Sequence, residues 1–150
     1  MLMRWAAAVS LVFLLIGCAS GPDEPSLSIR TIDRSAGEDI RIRFSTDHLA
    51  QGEAQELLLL IAAITVRKAG SERFQFRSVD AEGLLDSFAR AVRYFDVDAR
   101  VMALQDGDEG DPARKTYETA AVIDYFRPRY APILPPELQG EGAARPAAAG

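Results

Sequence analysis

Hydrophobic positions along this chain change their spacing several times, and each change marks an element. Ile40, Ile42 and Phe44 alternate with Arg41, Arg43 and Ser45, the period of two that lays one face of a strand on a core. Residues 27–32 (LSIRTI) carry a weaker form of that pattern, and the turn formers of residues 33–39 between the two segments predict a hairpin. Residues 52–70 follow, with an apolar run from Leu57 to Val66 interrupted only by Thr65. Glu53 and Glu56 stand before the run and Arg67 and Lys68 after it, charges that complement a helix dipole at both ends. Gly70 sits where a left-handed residue closes a helix. The run therefore predicts a helix, and because it is apolar nearly all round, one covered on more than one side.

Alternation resumes at residues 73–79, with Phe74 and Phe76 inward and Arg73, Gln75 and Arg77 outward. Leu84, Leu85, Phe88, Ala91 and Val92 fall at the spacing of one face of a short helix. Residues 94–105 are the clearest strand, Phe95, Val97, Ala99, Val101 and Ala103 on one face and Asp96, Asp98 and Arg100 on the other. A polar turn over 106–115 leads to a last helix over 116–130, capped by Thr116 or Thr119 and stopped by Pro128. The order β-β-α-β-α-β-α, with each strand polar on one face, predicts an α+β fold: a small antiparallel sheet of about four strands with two or three helices on one side.

The ends of the chain are of another kind. Arg4 precedes an apolar run from Trp5 to Ile16 broken only by Ser10. That is the length of a secretory apolar segment and short of the roughly 20 residues that cross a bilayer. At its end Leu15-Ile16-Gly17-Cys18 resembles the lipobox of bacterial lipoprotein signal peptides. The resemblance implies cleavage between Gly17 and Cys18, a diacylglycerol on the Cys18 sulfur and an acylated new amino terminus. Two or three acyl chains hold a protein to a membrane where one holds it only reversibly. Ala19 is not the aspartate that would resemble the inner-membrane retention signal of enterobacterial lipoproteins, which implies the periplasmic leaflet of the outer membrane in preference to the inner membrane. The expected organisation is a signal peptide over 1–17, a lipidated tether over 18–26, a folded domain over 27–130 and a disordered tail over 131–150. That last segment has four prolines and three glycines, too little apolar surface to offset its ordering entropy.

Composition narrows the chemistry. Cys18 is the only cysteine, so lipidation leaves none for a disulfide, a zinc site or a nucleophile. The net charge is −5, and removal of residues 1–17, which hold only Arg4, makes it more acidic. That balance argues against nucleic acid as a partner. Between residues 40 and 126 the chain also resembles small uncharacterised lipoproteins of proteobacteria. The likeness lies in a buried helix through Ala62, Ala63 and Thr65 to Gly70, an aromatic strand at Phe74, Asp98-Ala99-Arg100-Val101, and Tyr117-Glu118-Thr119-Ala120. It departs from them in having no acidic residue inside the helix and no aromatic directly after Gly70.

Three features invite a functional reading. His48, the only histidine, lies beside Asp47 and could form half of a general-base pair. No nucleophile motif of the G-x-S-x-G, S-x-x-K or H-E-x-x-H type accompanies it, and a loop or capping role explains the same letters. Asp106 and Asp108 have the spacing of a calcium loop, but Asp111 and Tyr117 stand where such a loop needs glycine and glutamate. Arg41, Arg43, Arg73, Arg77 and Arg100 all fall on outward strand faces. Together they would form a candidate surface for carboxylate or phosphate; the alternative is cross-strand pairing with Asp96 and Asp98. The sequence thus predicts a non-enzymatic domain without cofactor or metal, held to a membrane by lipid and acting through an envelope protein. The second reading is a module that binds an anionic envelope ligand (peptidoglycan, lipopolysaccharide or an acidic protein) through the arginine-rich sheet face.

Overall fold

A computed structural model describes residues 24–34, 39–85 and 92–140. Strands β1 (Ser26–Arg34), β2 (Asp39–Asp47), β3 (Arg73–Leu85), β4 (Val92–Leu104) and β5 (Thr116–Glu118) form one open sheet in the order β1-β2-β4-β3-β5. Every pairing is antiparallel. The expected α+β class holds, with a fifth, three-residue strand that Thr116-Tyr117-Glu118 adds beside Arg73-Phe74-Gln75.

Register follows the alternation. Ile42 pairs with Ala99 and Phe44 with Val97, so their side chains share the inner face with Ile40, Phe95, Val101 and Phe74, all buried. Helix α1 (Gln51–Lys68) lies on that face. Glu53 accepts a hydrogen bond from the Ala50 N–H at 2.9 Å, anchoring the first turn. The last turn closes as expected: Gly70 has φ +87°, its N–H reaches the Arg67 carbonyl at 3.0 Å, and the Ser71 N–H reaches that of Val66 at 3.1 Å. These two bonds satisfy carbonyls that a helix end otherwise leaves open.

Helix α2 (Thr119–Tyr130) runs antiparallel to α1 and packs on it. Its start is tied by the Thr119 N–H to the Glu72 carbonyl at 2.9 Å, and its end by Arg129 to Glu53 and Glu56. Its N-cap is Glu118, with no side-chain cap bond, so neither Thr116 nor Thr119 caps it. The helix also continues past Pro128, where a stop was expected, because the following turn carries Arg129 and Tyr130 onto α1.

Two further expectations are corrected. Residues 84–92 were expected to form a helix, yet Leu84 and Leu85 end β3 and Val92 begins β4, paired as a long hairpin. Phe88 and Ala91 lie outside the described residues. Helical spacing here loses to the ladder that β4 offers along the whole of β3, an instance of tertiary pairing overriding a local pattern. The disordered tail expected from Ala131 does not begin there. A 3₁₀ turn (Ala131–Ile133) and a one-turn helix, α3 (Pro136–Gln139), bring Leu134 and Leu138 into the core at 3% exposure. Lys68 Nζ donates to the Glu137 carbonyl, so this segment returns along α1. Residues 141–150 lie outside the described residues. With the sheet on one side and α2 and the returning segment on others, α1 buries Leu57, Leu58, Leu60, Ile61, Ala62, Ala63, Ile64 and Val66, residues that occupy every side of it.

Candidate functional site

Antiparallel pairing carries the polar half of each strand to the outer face of the sheet, away from α1. Arg41 stands opposite Arg100 and Arg43 opposite Asp98. Like charges directly opposite destabilise a ladder, and the side chains resolve this on the diagonal. Arg41 donates two hydrogen bonds to Asp98, Nε to Oδ1 at 3.0 Å and Nη2 to Oδ2 at 2.6 Å. Arg43 Nε lies 3.5 Å from the same carboxylate. This bidentate contact holds the Asp98 carboxyl below the usual carboxylate range, with the charges of Arg41, Arg43 and Arg100 adding to it, and it raises Arg41 in turn.

The other arginines find different partners. Arg77 sits at a bulge between Phe76 and Ser78, its Nε 2.8 Å from Asp39 Oδ2 and its Nη2 against the Met102 sulfur. Arg73, at the far end of the sheet, donates to the Asp108 carbonyl at 2.9 Å. Arg30, unnoticed in the sequence, reaches the Tyr94 hydroxyl at 2.8 Å and Asp96 at 3.4 Å from a bulge in β1. The outer face thus brings Arg41, Arg43, Arg77 and Arg100 to one surface and leaves Arg73 at its margin. Arg41, Arg43 and Arg77 are bound to carboxylates there, the cross-strand alternative.

Sequence reasoning missed the acids on β3. Asp80 stands opposite Asp98 and Glu82 opposite Asp96, and these four carboxylates line a cleft of about 250 Å³ with Arg43 and Val97. Val79-Asp80-Ala81-Glu82-Gly83 does alternate, but out of phase with Phe74 and Phe76, because the bulge between Phe76 and Ser78 moves the inward positions by one residue.

The 106–115 turn is held on the sheet by Gln75, only 1% exposed. Gln75 Nε2 donates to the Asp111 carbonyl at 3.0 Å and to Thr116 Oγ1 at 2.9 Å, while Oε1 accepts from the Asp111 N–H at 2.9 Å. Asp108 and Asp111, expected in a polar turn, build it: Asp108 Oδ2 accepts from the Gln105 N–H, and Asp111 from Ala113 N–H and Arg114. The Ala113 bond lowers the Asp111 carboxyl. Among the described residues no group of three or more His, Cys, Asp or Glu side chains is arranged to hold a metal ion. His48 lies in the β2–α1 connection at φ +57°, Nε2 3.6 Å from Asp47 Oδ1.

Between α1 and α2, the Tyr130 hydroxyl donates to Glu56 Oε2, which Arg129 also contacts at 2.9 Å. Burial, then the bond to Glu56, pushes the Tyr130 phenol well above its ordinary value. Because the folded value is the higher one, its contribution is complete below about pH 10 and declines as pH rises past that value. Urea melts at pH 8 and pH 11 are expected to show a smaller alkaline loss in Tyr130→Phe than in the parent chain.

Comparison with family models, with curated proteins and with solved structures finds no match for this chain. Among the described residues no helix is long and apolar enough to cross a membrane.

Proposed function

We propose that this chain is a lipid-anchored envelope protein of a bacterium whose domain works by contact with other proteins and catalyses no reaction. The observation that carries it is the apolar run from Trp5 to Ile16 ending in Leu15-Ile16-Gly17-Cys18, a short tether's length before β1. On this reading Cys18 is the first residue of the mature protein and is held in the periplasmic leaflet of the outer membrane. The tether keeps the domain within roughly 30 Å of the bilayer. Arg41, Arg43 and Arg77, already bound to Asp98 and Asp39, support protein contact over a free anion as the role of the domain.

The test is fractionation of cells expressing the parent chain and Cys18→Ser. The parent is expected in the outer-membrane fraction with an acylated, 17-residue-shorter amino terminus by mass spectrometry, and the variant in the soluble or uncleaved pool. A variant that partitions like the parent removes the anchor. Crosslinking in intact cells tests the second half, and recovery of monomer alone would count against protein contact.

A further inference from the structure

The unfinished edge of β3 has the features of a strand-docking site. The strand is thirteen residues long and pairs with β4 throughout, but on its other side β5 covers only Arg73, Phe74 and Gln75. Arg114 then donates from Nη1 to the carbonyls of Phe76 and Arg77, at 2.9 and 2.7 Å, and closes the ladder at the bulge. From Ser78 onward no strand among the described residues pairs with this edge. Ser78 to Gly83 are all exposed, Val79 at 47%. An exposed edge offers a row of backbone donors and acceptors to an extended segment.

The side chains state which segment. On the outer face Asp80 and Glu82 stand opposite Asp98 and Asp96. Arg41 and Arg43 serve Asp98, and Arg30 serves Asp96; no ion pair among the described residues serves Asp80 or Glu82. On the inner face Val79, Ala81 and Gly83 present small side chains or none. A second copy of the same edge would bring Asp80 and Glu82 against their own counterparts, which like-charge repulsion opposes. A second copy's β1 would offer Arg30, already engaged with Tyr94 and Asp96.

We propose that the β3 edge from Ser78 to Gly83 takes up an extended basic segment of another protein, with Lys or Arg at alternate positions beside Asp80 and Glu82 and apolar side chains beside Val79 and Ala81. This rests on the reading of the domain as a protein-contact module. Acids on an edge also deter self-association, and the two roles are compatible, since the charge that repels a copy selects a basic partner.

The test uses the full chain in detergent and fluorescent heptapeptides that alternate Lys with Val. The alternating peptide is expected to bind, more weakly with added salt, and to slow amide exchange in residues 78–83. A peptide of the same composition with its lysines in one block is expected to bind at least about tenfold more weakly, as is the alternating peptide to Asp80→Asn/Glu82→Gln. N-methylation of one alternate set of peptide amides should abolish binding, and methylation of the other set should leave it. Equal binding of the block peptide, or binding without protection of residues 78–83, overturns the proposal in favour of diffuse electrostatic attraction. A photocrosslinker placed in cells at Val79 or at exposed Ala120 separates the levels. Protein adducts from Ala120 and none from Val79 overturn this edge and leave protein contact standing; adducts from neither position overturn both.

Discussion

Alanine at Leu58, Leu60 or Val66 is expected to destabilise the domain at each position, by about 2–4 kcal/mol for the leucines and less for the valine. Leu58 and Leu60 are two residues apart and point to roughly opposite sides of α1, and Val66 lies on yet another. On a surface helix one of these sides would face solvent and tolerate the change within about 0.5 kcal/mol. Here Leu58 is 5% exposed and Leu60 and Val66 are 0%, because the sheet, α2 and the 131–139 segment each cover part of α1. Each truncation therefore leaves a void whose cost adds to the lost transfer free energy. Chemical denaturation of the three variants measures it. A single tolerant position among them would show that α1 has an open side.

Gly110→Ala is the second large effect expected, and it should exceed Gly107→Ala. Both glycines hold positive φ, +72° and +90°, so any side chain costs about 1–2 kcal/mol for the left-handed backbone. At Gly107 that is all, since a Cβ there meets nothing within 4 Å. At Gly110 the new carbon would lie 2.7 Å from Gln75 Nε2 and 2.8 Å from its Cδ. Gln75 cannot swing away without giving up its bonds to Asp111 and Thr116. The expected cost is about 2–4 kcal/mol. Shortening Gln75 relieves the contact, so Gly110→Ala and Gln75→Ala should together cost less than their sum in a double-mutant cycle. Strict additivity would mean that the loop already stands clear of Gln75.

Much of this architecture was legible in the residues. The alternations in β2 and β4, the charge-flanked apolar run of α1 and the glycine that closes it each state a local preference that packing then satisfies. What failed was non-local. Leu84, Leu85 and Val92 carry helical spacing, but β4 extends far enough to pair the full length of β3, and no single-segment pattern reports a partner's length. Leu134 and Leu138 were expected to pack at most locally within a disordered proline-rich tail, because the groove they fill beside α1 exists only once the domain has folded. The outward arginines were placed on the correct face by alternation alone. Their engagement was not, since it depends on the β2–β4 register that sets Asp98 diagonal to Arg41.

The closing path of the chain bears on when the domain can fold. Leu134 and Leu138 lie far along the chain from Gln51, where the helix they help to cover begins. A polypeptide emerging amino terminus first therefore leaves one side of α1 uncovered until Leu134 and Leu138 have emerged. Without that cover α1 keeps an apolar side open to water, so the domain's full stability waits on the packing of residues 134–138.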